Sequence, residues 1–453
     1  MITQHTSTAE GPTVRRVRIG RVVAGSLAAG LVAALALAFA PFVRADENAV
    51  TGAVLCGFAV GWAMVAVLSV RLTDQQQRWA AVPALFLGVG GLLLVAFGSS
   101  VRSVLDWVWP PALLALAIWM VVRVRRQVRS RSGRGLLYPG IAFLALAAIG
   151  GAYATLGAAA DARAYPMPGQ LIDVGGHRLH LNCTGSGSPT VVLEAGGGEM
   201  SSNLGWITPA VARNTRVCAY DRAGRGWSEP ADTPQDATQI AADLHTLLQR
   251  GGVAGPYVLA GHSFGGLYAL TYADRYPGEV AGMVLVDSTN PAPAERARTA
   301  SSHQGSYDVS GRVSALVSIA ARLGLTRLVA HVAVVDLPPT SQGEARASFA
   351  AASSLRSTID EYVQAQASAE EAAALRTFGD KPLVVLTAGI GGNAVHAGAQ
   401  NHLATLSTNS SHRVVEGAYH EALVGDENGA AATTRAILDV VKAVRSHTSL
   451  QRS

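Results

Sequence analysis

Apolar positions follow two regimes along the chain. Up to about residue 165 they come in long unbroken stretches, at 22–43, 49–70, 79–98, 104–122 and 136–156. Each is close to the ~20 residues a helix needs to cross the hydrocarbon core of a bilayer. Apolar side chains cover whole helical turns, unlike the one-sided stripe of a soluble surface helix. A cleaved signal peptide would account for the first stretch alone; five in succession predict an all-α bundle of about five transmembrane helices over 21–160. A linker at 161–169, marked by Pro166-Met-Pro-Gly169, ends this regime.

Beyond it, short apolar runs alternate with amphipathic ones. Runs at 170–174 and 178–183 around Gly175-Gly176 predict a hairpin. Further strands are expected at 190–194, 216–220, 257–260, 280–286, 383–387 and 412–415, with helices at 238–249, 267–276 and 430–444. Such alternation predicts a mostly parallel sheet covered on both faces. Between 290 and 380 the pattern is helical only, at 313–328, 341–357 and 367–377, which divides the sheet domain into 170–289 and 381–447.

Charge changes the picture mainly in the first regime. Of 453 residues only 15% are charged, and the formal balance is +5. Arg15, Arg16, Arg18 and Arg21 precede the first stretch; Arg71 and Arg78 lie between the second and third. Arg123, Arg125, Arg126, Arg129, Arg131 and Arg134 lie between the fourth and fifth, whereas the remaining connections hold only Arg44 and Arg102. Basic loops face the cytoplasm, so the tail at 1–20 is expected there and the domain after about 160 on the extracytoplasmic side of the cell membrane. The clustering argues for a bilayer as partner and against nucleic acid. No charge sits mid-span, so the block is read as an anchor or partner-binding module rather than a transport path. Three cysteines without a Cys-x-x-Cys pair imply no zinc site, and no other metal or cofactor is implied.

Candidate chemistry centres on Gly261-His-Ser263-Phe-Gly265-Gly266, which follows an apolar run and precedes a helical pattern. Gly-x-Ser-x-Gly between strand and helix is the nucleophile elbow, a strained turn that exposes the serine hydroxyl at a sheet end. With Glu194-Ala-Gly196-Gly197-Gly198 and Trp206, Val217-Cys-Ala-Tyr-Asp221-Arg-Ala-Gly224-Arg-Gly226-Trp-Ser228, Val284-Leu-Val-Asp287 and Glu416-Gly-Ala-Tyr-His420, this stretch makes five motifs in one order. In these the chain resembles the α/β-hydrolase superfamily, closest to its esterase and proline-iminopeptidase-like branch, over about 170–445.

The resemblance implies an eight-stranded, mostly parallel sheet with a helical lid. It implies Ser263 as nucleophile, His420 as base, and backbone N–H groups of Gly197 and Phe264 as oxyanion donors. A serine rather than an aspartate at 263 disfavours dehalogenase and epoxide-hydrolase chemistry. Many members place the triad acid after the strand at 383–387, but the loop Ala388-Gly-Ile-Gly-Gly-Asn393-Ala-Val holds no carboxylate. Others place it one strand earlier, where Asp287 stands. Asn393, Glu421, Asp426 and Asp380 are the alternatives. Asp221 is expected to bond amides of 222–226, and His262, His396, His402 and His412 to be structural or solvated. In the family's sheet the second and fourth strands are neighbours, which implies a disulfide between Cys183 and Cys218, with Cys56 left single. The expectation is a membrane-anchored serine hydrolase acting through an acyl-enzyme on a small-molecule or lipid-like ester, thioester or amide. An acyltransferase with the same triad and a non-catalytic membrane-tethered binding module are the alternatives.

Overall fold

A computed structural model describes residues 17–291, 303–330 and 336–450. It divides into two compact units, 1–152 and 153–453. The cytoplasmic tail expected at 1–20 lies outside the described residues up to residue 16.

The first unit is helical. Among the described residues, five helices are long and apolar enough to cross a membrane: α1 (Ile19–Ala38), α2 (Glu47–Leu72), α3 (Ala81–Phe97, preceded by a 3-10 turn from Arg78), α4 (Ser99–Gln127) and α5 (Arg131–Ala164), whose last residues belong to the second unit. Two of them outrun their apolar stretches. The arginine-rich residues 123–127 stay helical in α4, and α5 continues past Leu156 through residues expected to begin the linker. Hydropathy marks the span; the helix ends only where its backbone hydrogen bonds stop. Small residues bring α1 and α2 into backbone contact: a Cβ on Gly57 would lie 2.2 Å from the Cα of Ala34. Trp79 is buried among Trp62 and Trp119 and donates to Gln77 (2.7 Å).

The second unit carries one eight-stranded sheet. In chain order come β1 (Gln170–Asp173), β2 (Arg178–Thr184), β3 (Thr190–Glu194), α6 (Ile207–Ala212), β4 (Val217–Tyr220), α7 (Ala237–Arg250), β5 (Tyr257–His262), α8 (Phe264–Arg275) and β6 (Val280–Val286). The helical insertion follows, as α9 (His303–Arg322), α10 (Leu325–Val329), α11 (Pro339–Phe349), α12 (Ala352–Val363) and α13 (Ala365–Ala372). Then come β7 (Leu383–Ala388), α14 (Ala394–Ala404), β8 (Ser410–Val415), α15 (Ala422–Gly425) and α16 (Glu427–Ser446). Two continuous helices expected in the insertion are each broken. Gly324 at φ 77 ends one, and the other turns at Ala350–Ala351.

Strand order is β1-β2-β4-β3-β5-β6-β7-β8, with β1–β2 and β2–β4 antiparallel and the rest parallel. Parallel strands need both faces covered, and every residue of β3, β4, β5 and β7 is buried. α7 and α8 pack Ile240, Leu244, Leu247 and Leu270 against one face. α6 and α16 pack Ile207, Val211, Ile437 and Val440 against the other. Asp236 and Asp426 cap α7 and α16 by accepting from their first-turn amides. On β2 and β4, Cys183 and Cys218 are directly opposite in the antiparallel register and are disulfide-bonded. Parallel topology brings the C-terminal ends of β3, β5, β6, β7 and β8 to one edge, where the candidate residues gather.

Candidate active site

Ser263 lies between β5 and α8 at φ 54 and ψ −120, a left-handed conformation that costs a non-glycine residue of order 1–3 kcal/mol. Its neighbours hold it there. Ser263 N–H donates to Val286 O (3.0 Å), and Ser263 O accepts from Gly266 N–H and Thr289 N–H (both 3.1 Å). The turn is too tight for side chains around it. A Cβ on Gly261 would lie 2.4 Å from Gly265 O, and one on Gly265 would lie 2.4 Å from Glu194 O.

Asp287 follows β6 at φ 43 and is buried. A carboxylate only accepts, so the ring nitrogens facing it must donate. His420 Nδ1–H donates to Oδ2 (2.6 Å) from the loop after β8. His396 Nε2–H donates to Oδ1 (2.8 Å) from α14, and Ala388 N–H donates to the same oxygen (3.1 Å). Burial opposes ionisation of Asp287, but the hydrogen bonds from His420, His396 and Ala388 outweigh it and hold the carboxyl at about 2. With its Nδ1 proton committed to Asp287, His420 keeps Nε2 as a lone-pair base. His396, set aside in the sequence as structural or solvated, thus shares the aspartate with His420.

The other acid candidates lie elsewhere. Asn393 caps α14 by accepting from His396 N–H (2.9 Å), Asp426 caps α16, and Glu421 and Asp380 are exposed. His412 bonds Thr387 and Asn401. Asp221 bonds no amide within 222–226. It accepts from Ser201 N–H (2.7 Å), Trp227 N–H (3.2 Å) and His180 Nδ1–H (2.9 Å), joining β2 to the segments that carry Ser201 and Trp227. His262 is buried between two acceptors, Glu199 Oε2 (3.2 Å) and His420 O (3.3 Å), and its ring packs 4.6 Å from that of His420. Burial disfavours a charge on His262, yet Glu199 prevails and raises its pKa.

In the glycine loop after β3, carboxylates take the amides on either side of Gly197. Gly196 N–H donates to Glu199 Oε2 (2.6 Å) and Gly198 N–H to Glu361 Oε2 (2.9 Å), which leaves Gly197 N–H between them. Gly197 also abuts the elbow, since a Cβ there would lie 2.8 Å from the Phe264 ring. Glu361 comes from the lid helix α12 and is buried, as are its partners Arg222 (Nε, 2.8 Å) and Arg225 (Nη2, 2.9 Å). Arg222 donates onward to Ala195 O (2.8 Å) and Gly196 O (2.6 Å), and Arg225 to Gly198 O (3.1 Å). One lid carboxylate therefore ties α12 to the loop that presents Gly197. Replacing Glu361 by alanine leaves two buried guanidinium groups without their anion. The expected cost is about 3–5 kcal/mol, read as a fall of roughly 10 °C in apparent Tm of the hydrolase unit. An unchanged Tm would mean that the arginines find other acceptors.

Glu194 is a further buried carboxyl at the sheet end, accepting from Tyr220 OH (2.8 Å to each oxygen) with Arg222 at 3.9 Å. Burial pushes its pKa up to about 7, against the opposing pull of Arg222 and Tyr220. The folded state thus holds a proton that the unfolded chain, near pH 4.3, releases. Its stabilisation is full below that pH and is lost as pH rises towards 7, by an amount on the order of 3 kcal/mol. Glu194→Gln keeps a neutral acceptor for Tyr220 and removes this titration. Tm measured from pH 5 to 8 is expected to decline less in the variant than in the wild type.

Comparison with known proteins sets this geometry in context. A family model described as alpha/beta hydrolase fold matches residues 189–426. An uncharacterised protein of Schizosaccharomyces pombe is 32% identical over 155 residues, which is 28% of this chain and 29% of that protein. A 2-hydroxymuconate semialdehyde hydrolase of Pseudomonas sp. is 32% identical over 126 residues, 27% of this chain and 44% of that protein. The chain thus spans less than half the length of these curated relatives. Among solved structures, an esterase from Thermogutta terrifontis superposes at a TM-score of 0.46 with 20% identity, covering 61% of this chain and 99% of that one.

Proposed function

The chain belongs to the α/β-hydrolase fold family, and from that premise we propose that it is a membrane-anchored serine hydrolase acting through an acyl-enzyme on Ser263. The observation that carries this reading is the 2.6 Å bond from His420 to Asp287, beside a serine held at φ 54 on the elbow. A serine hydroxyl is a weak nucleophile until a base takes its proton. His420 Nε2 takes it as Ser263 Oγ attacks the carbonyl carbon, and Asp287 stabilises the imidazolium that forms. Negative charge moves onto the carbonyl oxygen, where Gly197 and Phe264 N–H groups receive it. The tetrahedral intermediate collapses, His420 returns the proton to the leaving group, and the acyl group stays on Ser263. Water activated by the same histidine then releases the acid.

The substrate is a small-molecule or lipid-like ester, thioester or amide. The five apolar helices anchor the unit in the cell membrane, with the hydrolase unit on the extracytoplasmic face. The arginine pattern supports that orientation, and so does the Cys183–Cys218 bond, which an oxidising compartment sustains. The test is hydrolysis of p-nitrophenyl esters of graded acyl length by the full chain in nanodiscs. A pre-steady-state burst of one p-nitrophenol per site is expected. A folded protein that hydrolyses none of the esters and is not labelled by a fluorophosphonate would refute the reading.

A further inference from the structure

The loop after β7 holds no carboxylate, and the structure shows what it carries instead. Gly389 N–H donates to Val415 O (3.1 Å) and Ile390 N–H to Ala418 O (2.9 Å), so the loop is tied to the segment that bears His420. Asn393 then caps α14, and its Oδ1 accepts from His396 N–H (2.9 Å). That cap fixes the first turn of the helix and aims the His396 ring at Asp287. The contact closes across 109 residues of sequence at 2.8 Å.

We propose that His396 is a positioning residue for the triad: its Nε2–H holds Asp287 Oδ1 so that Oδ2 stays aligned with His420 Nδ1. The reasoning is geometric. The terminal torsion of an aspartate is broad and roughly two-fold, so a single bond to His420 leaves the carboxylate plane loosely set. Here Oδ1 receives two donors, His396 and Ala388 N–H, and Oδ2 receives His420. Donors at both oxygens fix the plane. Ala388 N–H alone, at 3.1 Å, is the longest of the three bonds and would hold it less firmly. The ring of His396 donates to Asp287, and its influence runs through that carboxylate. The side chain is 28% exposed, so replacing it empties no core position.

This inference rests on the proposed triad, and the experiment separates the two. Full-length His396→Leu, His396→Gln and His396→Asn are compared in nanodiscs with Asp287→Asn, using a p-nitrophenyl ester. Glutamine carries an amide N–H about as far out as imidazole Nε2; asparagine carries the same amide too short to reach. The expected result is a fall in kcat of about 10- to 100-fold for His396→Leu and His396→Asn, with KM within about two-fold, because a misaligned catalytic group costs rate rather than binding. His396→Gln is expected to recover kcat to within a few-fold of wild type. Adding His396→Leu to Asp287→Asn should cost nothing further, since the two act through one bond. An unchanged kcat in His396→Leu beside a collapsed Asp287→Asn would overturn the inference and leave the triad standing. Equal losses in the glutamine and asparagine variants would also overturn it. An unaffected Asp287→Asn would overturn the triad and this inference with it.

Discussion

Replacing Ser263 by alanine is expected to lower kcat/KM for any ester substrate by about 10,000-fold or more, with the fold intact. The size follows from what the hydroxyl does. Removing it deletes the covalent step, and what remains is whatever rate the oxyanion donors and substrate binding give to direct attack by water. The intact fold follows from the backbone. Ser263 is strained at φ 54, but alanine has the same Cβ and meets the same strain, so the elbow neither relaxes nor worsens. The bonds that hold the turn, from Ser263 N–H to Val286 O and from Gly266 and Thr289 to Ser263 O, are all backbone. Ester hydrolysis measured beside Tm checks both halves. Residual activity within ten-fold of wild type would move the nucleophile elsewhere.

Asp287→Asn is expected to reduce kcat by about 10,000-fold while leaving KM little changed. The structure determines which way the new amide faces. Ala388 N–H and His396 Nε2–H both point at Oδ1, so the amide oxygen of asparagine stays with them. Its NH2 group then faces His420 Nδ1. An amide donor there requires Nδ1 to accept, which moves the imidazole proton to Nε2. In that tautomer His420 has no lone pair for the serine proton, and the imidazolium loses its counter-charge. Steady-state kinetics across pH 6–9 measure the effect. A loss smaller than ten-fold would mean that Asp287 does not orient the base.

The centre of the sheet was legible because β3, β4, β5 and β7 are buried on both faces and therefore read as short apolar runs between turn residues. The elbow was legible because two glycines with no room for a Cβ bracket Ser263. The resemblance pointed to His420 and Asp287 by their places after β8 and β6, strand ends that the parallel sheet brings to one edge, and the two are bonded to each other. What sequence did not reveal are contacts between remote segments. His396 reaches Asp287 only because Asn393 caps α14, and Glu361 reaches Arg222 from the lid, 139 residues away. Neither residue stands in a motif. Asp221 did stand in one, and its own loop was the natural partner; its amide bonds run instead to Ser201 and Trp227, with His180 filling the remaining side. The ends of α4 and α5 were missed because arginine and alanine favour helix well beyond the apolar span.

The most direct test of the central claim is peptide mapping of the full-length protein after reaction with a fluorophosphonate. The expected adduct lies on the tryptic peptide that contains Ser263, and it is lost when His420 is replaced by alanine. An adduct on a different serine, or none on a folded protein, would contradict the assignment of Ser263 as an activated nucleophile.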